Sequence, residues 1–420
     1  MKLSKFLQEE WRPALGCTEP ASIAYAAARA ASLGKRDGIT RVHLVCDPRI
    51  YKNCYAVGVP HSEHKVGILW TLAIGALLPD PSLELECFRQ IDASILEGAS
   101  RLLEASAVSV EVDSSRTELF IEVKVERGPQ KAIATIEGGH TRLTKLEVDK
   151  EAHPLDIDPV DTAGSCRERL SRLSFDELIE LTSDIEEPDR EALRRGMELN
   201  EAISRHGLGL LPKRFVDVKD QDPLTRVSRL VCAGVHARMT GEDFTVMSLA
   251  GSGNKGIVCS VPLSVYAREA GHDQKDAEKA LALACLLTSA TTHHLGTLSA
   301  VCGCSNAAGI GLAAGLVLLE GGGPEEISMA VNNMVGNVTG MICDGAKIGC
   351  AMKTMTSVDA AFRSTALALS GIGIPFSDGI VGRDGAESLR HLGKIATRGM
   401  SHTDEEILRI MQAKLGFDEG

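Results

Sequence analysis

The sequence predicts an α+β fold, with a smaller strand-containing N-terminal domain over residues 1–165 and a larger, mostly helical C-terminal domain over residues 166–420. Between about Arg41 and Val148, apolar residues recur with the period of two that half-buried strands need. After Pro159 the period lengthens to that of amphipathic helices. With 420 residues, the chain can bury more than one core without disulfide staples.

Leu3, Phe6 and Leu7 share a helical face, and Pro20 opens an alanine-rich helix that stops at Gly34. Between them, Arg12 to Pro20 is punctuated by prolines and a glycine and is expected to be an exposed turn. Val42 to Val45, Val108 to Val112, Leu119 to Val125, Ala132 to Ile136 and Thr141 to Leu146 are the expected strands of a small, largely antiparallel sheet. A helix is expected near Gly67 to Leu78.

In the second domain Ser174 and Glu177 form a capping box, since each side chain can satisfy an orphan backbone donor at a helix start. Further helices are expected over Pro188–Gly207, Leu224–Met239, Ser264–Ala290, Pro324–Met334, Val358–Leu369 and Asp404–Leu415.

The net charge of −12 argues against nucleic-acid or anionic-membrane partners, which need a basic face to displace counterions, and favours a small-molecule substrate. The N-terminus lacks the apolar segment of a secretory signal, so a cytoplasmic location is expected, with the 12 cysteines as thiols or metal ligands. No Asp, Glu, Lys or Arg occurs from Ala280 to Leu319. His293, His294, Ser305, Asn306 and many small residues interrupt that stretch, which favours buried helices or a cofactor-lining loop over a membrane span. Its length suggests a homodimer that covers it.

Three glycine-rich, weakly charged segments could carry chemistry: Ala250 to Gly256, Cys302 to Gly309 and Gly340 to Cys350. The latter two each hold a pair of cysteines, at C-x-C and C-x6-C spacing. Neither spacing matches the usual zinc or ferredoxin patterns, so by spacing alone the four thiols are equally well packed core residues or cluster ligands. Backbone amides of the Gly251–Gly256 loop, with Lys255, could cradle a carboxylate, although the loop is not a Walker motif. His61 and His64 follow Pro60 in what reads as a surface turn.

Taken together, Leu15-Gly16-Cys17-Thr18-Glu19-Pro20, Ser252-Gly253-Asn254-Lys255-Gly256, Cys302-Gly303-Cys304-Ser305-Asn306-Ala307-Ala308-Gly309 and Asn333 to Lys347 resemble the iron–sulfur-dependent L-serine dehydratase α-chain superfamily. The set is most similar to its single-chain L-cysteine desulfidase branch. The resemblance implies a [4Fe–4S] cluster held by Cys304, Cys343 and Cys350, with Cys302 the alternative first ligand and Cys17 a possible fourth. The six residues between Cys343 and Cys350 are fewer than the dehydratases carry. It further implies Cys17 and Lys255 as candidate catalytic residues, and Ser252, Asn254, Lys255 and Asn306 around the substrate. No lysine motif for pyridoxal phosphate is found, and that cofactor is not expected. The implied activity is β-elimination of L-cysteine to pyruvate, ammonia and hydrogen sulfide. L-Serine dehydration by the same chemistry and a non-catalytic iron–sulfur sensor are the alternatives.

Overall fold

Leu3, Phe6 and Leu7 bury one face of helix α1 (Leu3–Glu10), which runs directly into strand β1 (Trp11–Leu15) and then α2 (Thr18–Ser32). The structure is a computed structural model that describes residues 2–34, 38–116, 118–155, 165–216, 222–296 and 299–415, without the side chains of Gln412 and Leu415.

Strand β2 (Arg41–Cys46) is followed by helices α3 (Pro48–Cys54), α4 (Ile68–Leu77) and α5 (Ala93–Glu104). Strands β3 (Val108–Val112), β4 (Phe120–Arg127), β5 (Gln130–Glu137), β6 (Leu143–Val148) and β7 (Glu151–Ala152) come next. Together β2 to β7 form one sheet in the order β3-β2-β4-β5-β6-β7, antiparallel except for the β2–β3 pair. The three helices supply the crossover that a parallel pair requires.

Alternation places Val42, Leu44, Ile121, Val123, Val125, Ala134 and Ile136 on a face that packs with Ala26, Ala27, Ala30 and Ala31 of α2. Those alanines let α2 lie close to its neighbours. At Gly75 of α4 an added Cβ would stand 2.5 Å from Ala24 Cα, so the two helix backbones nearly touch.

Among the described residues, the regular structure in the rest of the chain is helical apart from one strand. Short helices α6 (Cys166–Leu170) and α7 (Phe175–Glu180), the latter with its capping box formed, precede α8 (Glu187–Leu208), α9 (Lys213–Val216) and α10 (Pro223–Thr240). After β8 (Thr245–Leu249) come α11 (Gly253–Ala270), α12 (Gln274–Leu295), α13 (Asn306–Leu319), α14 (Pro324–Val338), α15 (Cys350–Leu369), α16 (Gly385–Lys394) and α17 (Thr403–Leu415). The architecture is α+β, as the periodicities predict. Residues 156–164, just before the expected domain boundary, lie outside the described residues.

Two expectations are corrected. The single helix expected over Ser264–Ala290 is two helices. Gly271 (φ 82°) ends α11 in the left-handed conformation, and the Asp273 side chain accepts the Lys275 amide to start α12. The segment from Arg12 to Pro20 is not an exposed turn. Strand β1 pairs antiparallel with β8, Trp11 opposite Leu249 and Leu15 opposite Thr245, and Ala14 to Pro20 are buried. Pro13 is tolerated because the two-stranded ribbon has only edges. Residues 3–15 therefore pack with helices beyond residue 166.

The uncharged stretch from Ala280 to Leu319 is the second half of α12, a connection and α13. An added Cβ on Gly311 or Gly315 would lie 2.4 Å from Ala284 O or 2.8 Å from Ala280 O, so the two helices are in backbone contact and cover one another. This removes the reason for expecting a partner subunit over that stretch. Among the described residues no single helix is long and apolar enough to cross a membrane. One bent pair, Ile68–Leu77 with Pro81–Gln90, passes on length and composition, its members meeting at 114°.

Candidate active site

Four helix N-termini converge on one region: those of α2, α11, α13 and α15. The β1–β8 ribbon sets the first two. At one end Gly16 (φ 73°) turns β1 into α2, and at the other Ala250 (φ 47°) and Gly251 (φ 77°) turn β8 into α11. Thr18 Oγ1 lies 2.8 Å from Gly251 O and joins the two turns. Ser252 Oγ lies 3.4 Å from Cys304 Sγ, which links α11 to the segment leading into α13. Ser357, two turns into α15, donates to Ser305 O, and Cys350 at the start of that helix lies near enough to Cys302 and Cys343 to feel both. Orphan N–H groups and aligned peptide dipoles make such a convergence favourable for negative charge.

Cys17 is buried at the N-cap of α2, and its thiol donates to Glu19 Oε2 at 3.0 Å. Burial pushes this thiol well up, and the Glu19 charge adds to the effect. Glu19 is also held by Asn53 Nδ2 at 3.3 Å, and Thr18 Oγ1 lies 2.9 Å from its Oε2. Burial opposes its ionisation, yet the nearby His140 and the hydrogen bonds from Cys17, its own backbone and Thr18 hold the carboxyl below its usual range.

Lys255 is buried, and its Nζ donates to Ala250 O and Thr292 Oγ1, each at 3.1 Å. Desolvation, reinforced by Arg167, brings it down to about 8, with Cys304, Glu10 and Glu19 partly opposing. An added Cβ on Gly303 would sit 3.2 Å from Lys255 Cε, which places the lysine stem against the Cys302–Cys304 turn. Asn254 is engaged from behind: Arg238 donates to its Oδ1 at 2.9 Å and to Gly16 O at 2.6 Å. Asn254 thus braces the two turns rather than offering a free amide. Asn306 Nδ2 donates to Cys302 O, while its buried Oδ1 has no partner.

The four C-terminal cysteines are free thiols in this region. Cys302 N donates to Met341 O and Cys343 N to Ala300 O, a short antiparallel bridge that sets the two cysteine segments side by side. Cys302 and Cys350 are buried, whereas Cys304 and Cys343 are half-buried. Contact with Cys304, then burial, raises Cys302. Burial raises Cys343 and Cys350, the latter to about 12, and Cys302 adds to both.

Among the described residues no three His, Cys, Asp or Glu side chains close on a single metal ion. A cube of irons and sulfides is wider than an ion, and its ligands stand further apart. Free thiols on glycine-rich turns at helix N-termini fit such a group.

Three lysines brace the Cys343 loop. Lys347 and Lys353 both pair with Asp344, and Lys353 also donates to Ile342 O. The buried Lys52 of α3 donates to Cys343 O at 2.7 Å and to Asp404 Oδ1 of α17 at 2.5 Å. One ammonium thereby holds together the first part of the chain, the cysteine loop and the last helix. Lys52→Met is expected to cost about 2 kcal/mol, less than a fully buried pair because Asp404 keeps Arg49 as a partner. A lowered urea midpoint, with faster amide exchange in α17, is the measurement.

His61 lies in the expected turn and pairs with Asp243, while His293 and His294 end α12. Sequence reasoning missed His140, Arg167 and Lys52, and gave Glu19 no role. The Glu137-Gly138-Gly139-His140-Thr141 turn was visible as a hairpin signal, but nothing local shows that its histidine points inward.

A sequence profile described as serine dehydratase alpha chain matches residues 103–409. The chain belongs to that family. The family is one of lyase-type, iron–sulfur-dependent enzymes, which supports a cluster in this chain. Its relatives include UPF0597 proteins of Geobacter sulfurreducens (36% identical over 97% of both chains) and Desulforapulum autotrophicum (34% over 98% of both). Another, from Oleidesulfovibrio alaskensis, is 35% identical over 97% of both chains. The matched region takes in β8, α11 and both cysteine segments, and the Cys17–Glu19 turn lies before it.

Proposed function

We propose that the protein is an L-cysteine desulfidase, which eliminates sulfide from L-cysteine to give pyruvate, ammonia and hydrogen sulfide with the help of a [4Fe–4S] cluster. The observation that carries this reading is the convergence of the Cys304, Cys343 and Cys350 turns with the Cys17–Glu19 turn and Lys255. Cys304, Cys343 and Cys350 would hold the cluster, and Cys302 lies behind Cys304 with its thiol directed at Ser305 Oγ. When bound, the group supplies a Lewis-acidic iron for a poor leaving group.

The chain's own residues supply the rest. Amides at the starts of α2 and α11, with Ser252 and the Lys255 ammonium, suit the substrate carboxylate. Glu19 suits the α-ammonium and holds the Cys17 thiol in place. Arg238 and Asn254 fix the two turns so that neither has to reorganise when substrate arrives. The protein is proposed to act in the cytoplasm on a small amino acid, as a homodimer. The exposed Leu367, Ile372 and Phe376 support an apolar contact between subunits.

The test is sulfide and pyruvate release under argon. Equal yields of both from L-cysteine, with a kcat/KM at least about tenfold above that for L-serine, are expected. Pyruvate from L-serine alone would replace the reading with serine dehydration. No product from either, with a cluster spectrum unmoved by L-cysteine, would replace it with an iron–sulfur sensor.

A further inference from the structure

We infer that His140, carried on the turn between β5 and β6, is a catalytic residue of this site whose ring nitrogen accepts the Cα proton of the amino-acid substrate. The inference rests on the β-elimination proposed above and adds the group that begins it.

Position comes first. A Cβ on Gly251 would lie 2.9 Å from His140 Cε1 and 3.0 Å from Nδ1, so the imidazole lies directly over the bare turn that starts α11. The same Cβ would lie 3.6 Å from an Arg167 terminal nitrogen. The six-stranded sheet thus reaches into the helical part at the point where Thr18, Gly251 and Ser252 meet. His140 Nε2 is buried and has no hydrogen-bond partner. A buried polar atom left unpaired is costly unless something else completes it, and here the missing partner would be a substrate atom.

Chemistry comes second. Glu19, Glu10, Arg167 and Lys255 are the charged groups that act on the ring. Burial lowers His140, Arg167 and Lys255 reinforce this, and Glu19 and Glu10 oppose it. Burial thus favours the neutral ring, which can take a proton, and a carboxylate stands close by to stabilise the imidazolium that results. The other candidates around Gly251 are already engaged. Cys17 donates its thiol to Glu19, and Lys255 donates to Ala250 O and Thr292.

In the step itself the Cα–H bond breaks and its proton passes to the imidazole. The freed electron pair forms the Cα–Cβ double bond as the Cβ–S bond breaks and hydrosulfide departs with the sulfur pair. The imidazolium returns its proton to the hydrosulfide, and water hydrolyses the remaining aminoacrylate, as its imine tautomer, to pyruvate and ammonia.

His140→Gln keeps a polar side chain that cannot take a proton, and His140→Asn is a second variant should the first fold poorly. The expected result for L-cysteine is a kcat about a thousandfold lower, within the usual range for loss of a general base, with KM changed less than about threefold. Calorimetric binding of L-alanine, which has no leaving group, should stay at the wild-type value, as should iron content. A kcat within tenfold of wild type, or a loss confined to KM and to L-alanine binding, would overturn the assignment and leave His140 as a binding residue. Wild-type protein that turns over neither L-cysteine nor L-serine would instead remove the elimination reading itself, and the inference with it.

Discussion

Cys343→Ala purified without oxygen is expected to carry no more than about a tenth of the wild-type iron and sulfide, a loss at least as large as disturbed metal-site partners usually cause. The thiol is well suited to such a test because the backbone around it is fixed independently. Its amide donates to Ala300 O at 2.7 Å, and its carbonyl accepts Lys52 Nζ at 2.7 Å. Removing the sulfur therefore leaves the loop in place, and the circular dichroism and urea midpoint should stay close to those of cluster-free wild type. Cys304→Ala is expected to lose iron to the same degree, because Cys304 is half-buried and faces Ser252. Cys302→Ala should keep most of it, since its thiol is directed at Ser305 Oγ and Cys304 is the more accessible of the two. The reverse outcome for these two variants would make Cys302 the ligand. Full iron in Cys343→Ala would overturn the ligand set.

Much of the fold could be read from the residues because its signals are local. Alternation over Val108–Val148 announces a sheet, and Ser174 with Glu177 announces a helix start. The two places where the reading failed are different in kind. The β1–β8 ribbon joins residues more than 200 positions apart, and Pro13 in its first strand looks locally like a turn. The break between α11 and α12 had a local signal in Gly271 and Asp273, which the long apolar period across it obscured.

The site divides along the same line. Cysteines and glycines that recur in short motifs were visible as a set, and the structure brings those motifs to neighbouring helix starts. His140, Arg167 and Lys52 come from a hairpin turn, a short helix and a second short helix, where a polar residue ordinarily faces solvent. The register of β5 against β6, the ion pair of Arg167 with Glu10 and the packing of α17 on α3 turn them inward. Asn254 illustrates the opposite case. Its motif suggested a ligand for substrate, while Arg238, sixteen residues earlier in a different helix, takes its carbonyl oxygen.

Gly256→Ala is the substitution expected to damage stability most, by more than about 4 kcal/mol, to the point that soluble protein is hard to obtain. The cause is distance. An added Cβ at Gly256 would stand 1.9 Å from the backbone oxygen of Met247, so α11 and β8 are pressed together with no flexible side chain between them to yield. Asn200 stitches the same contact from the other side, donating to Met247 O at 3.2 Å and to Ser260 Oγ at 2.9 Å while accepting the Met247 amide at 2.9 Å. A methyl group at Gly256 has to push α11 off the strand and stretch that bridge. The turn between them carries Gly251 and Ser252 and leads to Lys255, so the displacement would reach the site even in any fraction that folds. Gly340→Ala, in the other glycine-rich loop, provides the contrast: its Cβ meets nothing within 4 Å, and a change within about 0.5 kcal/mol is expected. Urea midpoints of the two variants decide the matter. Equal midpoints would mean that α11 does not lie against β8 as closely as the structure has it. A large gap would identify the last glycine of the Ser252–Gly256 motif as a packing residue, whose place in the sequence is set by the approach of helix to strand and not by the ligand at the turn.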